Sequence, residues 1–168
     1  GEYGDGRMAD INYILNELDN FFKSKSSNKK YRAIVTAGPT QEYIDPVRYI
    51  SNRSSGKQGY EIAKSLFNNG FDTTLISGPS KLTPDPNINL LKVNTAEEMY
   101  QKTIENLPCD VAIFAAAVAD WRVISEYASK IKKENGKLPV LELAENTDIL
   151  STVSHRDSDR PKLVIGFA

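Results

Sequence analysis

From Asp110 to Ala117 the chain reads D-V-A-I-F-A-A-A, apolar at every position after the first. A strand with apolar residues on both faces must be covered on both, which places it inside a parallel sheet sandwiched between helices. Val111 to Ala119 is the longest apolar run, and it falls far short of the roughly 20 residues that a membrane-spanning helix requires. With 168 residues and 40% apolar content, there is material for one sizeable core and a tail. The balance of 21 basic against 22 acidic residues leaves a net charge of -1, which carries no nucleic-acid footprint. The single cysteine, Cys109, excludes an internal disulfide and fits a reducing compartment. Without a visible secretory signal, a soluble cytoplasmic protein with no membrane partner is expected.

Strand and helix patterns alternate around that run. Ala33 to Thr36 reads as a first strand, Thr73 to Ser77 as a second, Leu90 to Val93 as a third, Asp110 to Ala117 as a central fourth and Leu163 to Gly166 as a fifth. Lys57 to Asn69 has helical spacing, with Ile62, Ala63, Leu66 and Phe67 on one face and Gly70 as its stop. Thr95 caps another helix, Glu98 completes a capping box, and Met99, Ile104 and Leu107 are its apolar positions. The expected fold class is α/β, a three-layer Rossmann-like fold with a mainly parallel sheet flanked by helices and right-handed crossovers. Ligands in such sheets sit at the carboxyl ends of the strands, near the switch in strand order. Residues 1–27 differ in kind. Gly1 to Gly6 is glycine-rich and acidic, Ile11, Ile14, Leu15, Leu18, Phe21 and Phe22 recur at helical spacing, and Lys23 to Lys30 reads as a linker. That amphipathic helix needs a partner surface, inside or outside this chain.

Between the first strand and its helix lies T-A-G-P-T-Q-E-Y-I-D-P-V-R-Y-I-S-N-R-S-S-G-K-Q-G, Thr36 to Gly59, much longer than the roughly 2 to 6 residues of most βα loops. Tyr43, Ile44, Val47, Tyr49 and Ile50 call for burial, and Pro39 and Pro46 restrict the backbone. An ordered, ligand-gripping loop is expected. At its end Ser54 and Ser55 are candidate caps for the helix, Gly56 allows close approach to backbone, and Lys57 adds a positive charge. Gly38, Ser55 and Gly56 are therefore assigned to phosphate binding. The alternative is an ordinary helix cap, since S-S-G-K lacks the full phosphate-loop pattern; Arg48, Asn52 and Arg53 nearby favour the functional reading.

The second half offers further polar groups. Asp120 closes A-A-A-V-A-D, where a carboxylate can meet a ribose or a metal-bound nucleotide, or else cap a helix or pair with Arg122. Lys130, Lys132 and Lys133 are either a solvated basic face or charge brought to a polyphosphate. Asn146 to Leu150 reads as a capped turn before a helix and as a further candidate contact for an anion or a base. Cys109 has no partner histidine nearby and reads as structural; His155, beside Arg156 and Asp157, reads as surface. No Ser-His-Asp set or Cys/His metal cluster occurs in the sequence.

Taken in order, T-A-G-P-T, D-P-V-R-Y-I-S-N-R-S-S-G-K-Q-G, I-S-G-P, T-A-E-E-M, A-A-A-V-A-D-W-R, K-I-K-K, N-T-D-I-L and V-I-G-F-A resemble the phosphopantothenoylcysteine synthetase family from Tyr31 to Ala168. The head, G-E-Y-G-D-G-R-M, is similar to the closing segment of the flavin-dependent phosphopantothenoylcysteine decarboxylase, which in many bacteria precedes the synthetase. The resemblance implies an excerpt of a bifunctional protein of coenzyme A biosynthesis. Residues 1–27 would be the end of the decarboxylase domain plus linker, and residues 28–168 the synthetase domain without its C-terminal lid and dimer segment. FMN would belong only to the absent decarboxylase part.

What the family implies is a ligation. CTP and 4'-phosphopantothenate form an acyl-cytidylate and pyrophosphate, then L-cysteine attacks the activated carbonyl and expels CMP, with Mg2+ accompanying the nucleotide. By motif, Asn52 matches the family's active-site asparagine and Lys130 its triphosphate-contacting lysine. Ala115, Ala116 and Asp120 match nucleotide contacts, as do Thr147, Asp148, Ile149 and Leu150, while Phe167 matches an aromatic near the nucleotide. A protein metal site is not implied. The family is a homodimer, with larger homo-oligomers in the bifunctional parent. Thr147 departs from the family by standing where proline is common. Two alternatives remain: a nucleotide-binding or assembly module without catalysis, and a Rossmann-type oxidoreductase. Against the latter, the first turn lacks the glycine fingerprint and Ser77 stands where an acidic residue would close the second strand.

Overall fold

The computed structural model describes residues 10–23, 30–132 and 140–167. The readings of Gly1 to Gly6, most of the Lys23 to Lys30 linker, Lys133 and the side chains of Phe21 and Phe22 lie outside the described residues. After helix α1 (Ile11–Lys23) the chain forms β1 (Arg32–Ala37), β2 (Gln41–Asp45), β3 (Arg48–Ser51), α2 (Lys57–Asn68), β4 (Asp72–Ser77) and β5 (Asn89–Lys92). It continues through α3 (Ala96–Glu105), β6 (Val111–Phe114), β7 (Trp121–Val123), β8 (Leu143–Glu145), α4 (Ile149–Ser154) and β9 (Leu163–Gly166).

The main sheet has five strands in the order β5-β4-β1-β6-β9, and every neighbouring pair is parallel. The alternation of side chains along β1 and β6 divides the core in two. Val35, Ala37, Val111 and Ile113 face Tyr60, Ala63 and Leu66 of α2, with Leu18 and Ile14 of α1 joining them. Ile34, Ala112 and Phe114 face the other way, against Met99 of α3 and Ile149 and Val153 of α4. Helix, sheet, helix is the three-layer α/β arrangement that the patterns predict. Full burial of a side chain such as Ile34 or Leu75 contributes roughly 1.5–3 kcal/mol. The amphipathic α1 thus lays apolar residues on a surface of its own chain. Among the described residues no helix is long and apolar enough to cross a membrane.

The third helix begins as its capping pattern foretells. Thr95 accepts from the Glu98 N–H at 3.1 Å, while Glu98 accepts from Asn94 N–H at 2.6 Å. Three expectations need correction. The central strand is β1, with β6 beside it, although all four residues of β6 are buried. The Asp110–Ala117 run leaves the ladder after Phe114 because Ala117 turns to pair with the segment after β1. The long connection after β1 is not a loop but an antiparallel hairpin, β2–β3. Its burial is inverted: Glu42 and Asp45 are buried, whereas Val47 and Tyr49, expected inside, are exposed.

Candidate functional site

At the carboxyl edge of the sheet, where the strand order reverses between β1 and β6, two segments are laced together. Thr36 takes the Ala115 N–H on its carbonyl at 3.2 Å and the Ala116 N–H on its hydroxyl at 3.4 Å. Ala117 N–H donates to the Gly38 carbonyl at 2.8 Å, and Thr40 N–H donates to the Ala117 carbonyl at 3.3 Å. The fully buried Thr40 also accepts from Ala119 N–H at 2.9 Å through its hydroxyl. Two asparagines complete the lacing from outside. Asn52 Nδ2, just past the hairpin, donates to the Val118 carbonyl at 2.9 Å, and Asn146 Nδ2 donates to the Ala119 carbonyl at 2.7 Å. Asn146 N–H reaches the Asp120 carbonyl at 2.8 Å. Every carbonyl from Ala117 to Asp120 is therefore engaged, while the N–H groups of Val118 and Asp120 have no hydrogen bond among the described residues.

Against this rigid segment opens a cavity of about 620 Å³, within the size range of small-molecule sites. Asn52, Ala116, Asp120, Thr147, Asp148, Ile149, Leu150 and Phe167 all line it. The neutral alternatives for Asp120 are not realised: a strand, not a helix, follows it, and Arg122 donates instead to the Glu145 carbonyl. Asp148 is the N-cap of α4 and accepts from Ser151 N–H at 2.8 Å. Its backbone turn, with Thr147 exposed beside it, forms one wall of the cavity.

Gly38, Ser55 and Gly56, assigned to phosphate binding, do not line this cavity. Ser55, Gly56 and Ala115 line a second, mainly apolar cavity of about 660 Å³ beneath α1, and Phe167 borders both. Helix α2 is capped by Gly56 itself in the left-handed region at φ 78, with no side-chain cap. Ser54 and Ser55 instead accept from the N–H groups of Gly56 and Lys57, two residues on, at 3.2 and 3.3 Å. Gly38 is a packing point: a Cβ on Gly56 would stand 3.0 Å from Gly38 N, and one on Gly78 would stand 1.7 Å from the Pro39 carbonyl oxygen. Lys130 is exposed and does not line the cavity; its neighbour Ile131 is bonded to the β2–β3 hairpin.

Motif reading missed Thr36 and Thr40, whose hydroxyls hold the segment, and Trp121 and Glu145, which share the cavity wall. Asn146 carried a signal as the first residue of the capped turn N-T-D-I-L, and it shares that wall. Thr40 carried none, because its task depends on a residue 79 positions away. Cys109 is buried, and burial pushes its thiol up to about 12. His155 is exposed, with Nδ1 2.8 Å from the Ser151 carbonyl oxygen.

Residues 28–168 match the family described as DNA/pantothenate metabolism flavoprotein C-terminal domain. The chain belongs to that family. As a member of the DNA/pantothenate metabolism flavoprotein C-terminal domain family, it is 43% identical over 169 residues to the coenzyme A biosynthesis bifunctional protein CoaBC of Haemophilus influenzae, covering all of this chain and 42% of that protein. A solved C-terminal domain of a CoaBC protein superposes with a TM-score of 0.65 at 39% identity, over 79% of this chain and 62% of the other. A variant of Cab2 in complex with phosphopantothenate-cysteine shares the fold, with a TM-score of 0.62 at 18% identity, over 95% of this chain and 70% of the other. The motif resemblance and the comparisons agree on the relationship to CoaBC. The chain spans about 42% of the length of the curated relatives it matches.

Proposed function

We propose that this chain is the ligase part of a bifunctional coenzyme A biosynthesis protein, joining 4'-phosphopantothenate to L-cysteine at the expense of CTP. Residues 28–168 would form the ligase domain, and residues 1–27 the end of a decarboxylase domain plus linker. The observation that carries the reading is the convergence of Asn52, Ala116, Asp120, Thr147 to Leu150 and Phe167 on one cavity at the carboxyl edge of the sheet, in a chain 43% identical to a CoaBC protein. In the first step a carboxylate oxygen of phosphopantothenate attacks the α-phosphorus of CTP, the bond to pyrophosphate breaks, and an acyl-cytidylate forms. In the second, the amine of cysteine attacks the acyl carbon, an amide forms, CMP leaves and the amine gives up a proton.

Neither step needs a protein nucleophile; both need alignment and donors where negative charge gathers. Asn52 supplies one: with Nδ2 tied to the Val118 carbonyl, its second amide hydrogen and its Oδ1 remain for the acyl-cytidylate. The N–H groups of Val118 and Asp120 supply two more. Lys130 contributes charge to the triphosphate. Among the described residues no three His, Cys, Asp or Glu side chains gather to hold a metal, so magnesium would arrive on the nucleotide's phosphates and keep most of its water. The whole parent would act in the cytoplasm as an oligomer built on ligase homodimers, with FMN in its decarboxylase part. About half of each of Val47, Tyr49, Trp121 and Leu143 is open to solvent, which suits a protein–protein surface.

Calorimetry with CTP, ATP and NADPH in the presence of magnesium tests the reading. Selective CTP binding is expected; binding of NADPH in its place would overturn it in favour of an oxidoreductase. In the full-length protein, Asn52→Ala is expected to lower turnover by about 10²–10³-fold, the usual loss for one oxyanion donor. An unchanged rate would remove Asn52 from the mechanism.

A further inference from the structure

Asp45 is wholly buried, outside the cavity, yet both of its carboxylate oxygens are engaged. Oδ1 accepts from the Val47 N–H at 2.9 Å, a local bond of the hairpin turn. Oδ2 accepts from the Ile131 N–H at 3.1 Å, 86 residues away in sequence, and a turn has no use for that bond. Arg48 braces the same junction, its guanidinium 3.6 Å from Asp45 Oδ2 and donating to the Ile131 carbonyl at 3.3 Å. At the other end of the arc, Tyr127 N–H donates to the Ile44 carbonyl at 3.0 Å. The stretch from Tyr127 to Ile131 is thus pinned at both ends to adjacent hairpin residues, and it carries the exposed Lys130. A buried carboxylate is costly unless donors meet its oxygens; here one of its two N–H donors comes from this arc.

We infer that Asp45 is a positioning residue for Lys130, holding the backbone from which that lysine reaches the nucleotide's phosphates. The inference rests on the ligase reading of Lys130. A long lysine side chain is a mobile point charge, so fixing its backbone confines the volume its ammonium explores. The hairpin therefore positions one group of the site at each end: Asn52 just past β3, and Lys130 through the β2–β3 turn.

Asp45→Asn removes one of the two acceptors while keeping shape. Hydrogen exchange in this chain should show the Ile131 amide losing protection by about tenfold or more, the equivalent of one net hydrogen bond, while Val35 and Ile113 in the sheet keep theirs. In the full-length ligase the same variant should raise KM for CTP by about tenfold with kcat and the cysteine KM little changed. Adding it to Lys130→Ala should cost nothing more. Unaltered exchange at Ile131 would overturn the inference, and so would a loosened arc that leaves KM for CTP unchanged while Lys130→Ala raises it; in that last case the ligase reading survives. If Lys130→Ala itself has no effect, the inference and the role of Lys130 fall together. Ile131→Pro, which removes the donor and leaves the carboxylate on Val47, applies the same kinetic test should Asp45→Asn fold poorly.

Discussion

Cys109 sits where β6 begins, 8% exposed, with its Sγ donating to the Val111 carbonyl at 3.3 Å. Burial raises its thiol to about 12 and outweighs the opposing charge of Arg32, so almost none is thiolate near neutrality, and thiolate is the reactive form. A disulfide reagent should label it only at the rate of unfolding; labelling as fast as a free thiol would contradict the buried placement. Gly78 makes a sharper test of the site's frame. An added Cβ would stand 1.7 Å from the Pro39 carbonyl oxygen, which is backbone and has little room to yield. Gly78→Ala should destabilise by about 1–3 kcal/mol or more, measured by urea denaturation, and should weaken the proposed CTP binding because Gly38 and Thr40, on either side of Pro39, lace the cavity wall. At this scale the sequence was most legible where a motif coincides with a wall of the cavity, as at Asn52, Asp120 and Thr147 to Leu150. It was least so at Gly38 and Gly56, both in the left-handed region at φ 74 and 78, where a side chain would press on the backbone of Gly78 and of Gly38 respectively.

The hairpin shows why an element can escape a periodicity reading. Its buried positions are Glu42 and Asp45, and its exposed ones include Val47 and Tyr49, the reverse of the polarity that marks a strand. Each buried carboxylate accepts from a donor far away in sequence: Glu42 from the N-terminal Ala96 N–H of α3 at 2.9 Å, and Asp45 from Ile131 in addition to its local bond from Val47. By contrast, β1, β4, β5 and β9 were legible because their residues alternate between two apolar clusters or run apolar throughout. Thr40 tests the lacing as an element. Thr40→Val keeps the shape but leaves the buried Ala119 N–H without its acceptor, which should cost about 1–3 kcal/mol. Thr40→Ser restores the oxygen and should recover most of that loss. Equal denaturation midpoints for the valine variant and the unaltered chain would remove the hydroxyl from the account.

Across the whole molecule, charge ties the edges that packing alone leaves open. At the amino edge of the sheet Asp110 accepts from the Arg32 N–H at 3.0 Å and from Lys162 Nζ at 2.6 Å, while Asp110 N–H donates to the Arg32 carbonyl. The starts of β1, β6 and β9 therefore share one carboxylate. The hydrogen bond and the charge of Asp110 hold the Lys162 ammonium above its ordinary 10.5. A folded value raised above the unfolded one means a contribution fully present below 10.5 and lost as pH rises through the folded value. On the acid side, burial presses the Asp45 carboxyl upward, but the Val47 and Ile131 N–H groups and Arg48 outweigh it and hold it below 3.8. The hydrogen bond from Arg156, helped by its charge, lowers Asp159 likewise. Those contributions are present above 3.8 and lost as pH falls through the folded values. Urea denaturation across the pH range should thus show stability falling at the acid end below about 3.8 and at the alkaline end above 10.5. Lys162→Met should flatten the alkaline fall while leaving the acid-side contributions of Asp45 and Asp159 in place, because those two carboxylates depend on other partners, Val47, Ile131 and Arg48 for one and Arg156 for the other. An alkaline fall of equal depth in that variant would show that other groups govern it, and would detach Lys162 from the amino-edge link.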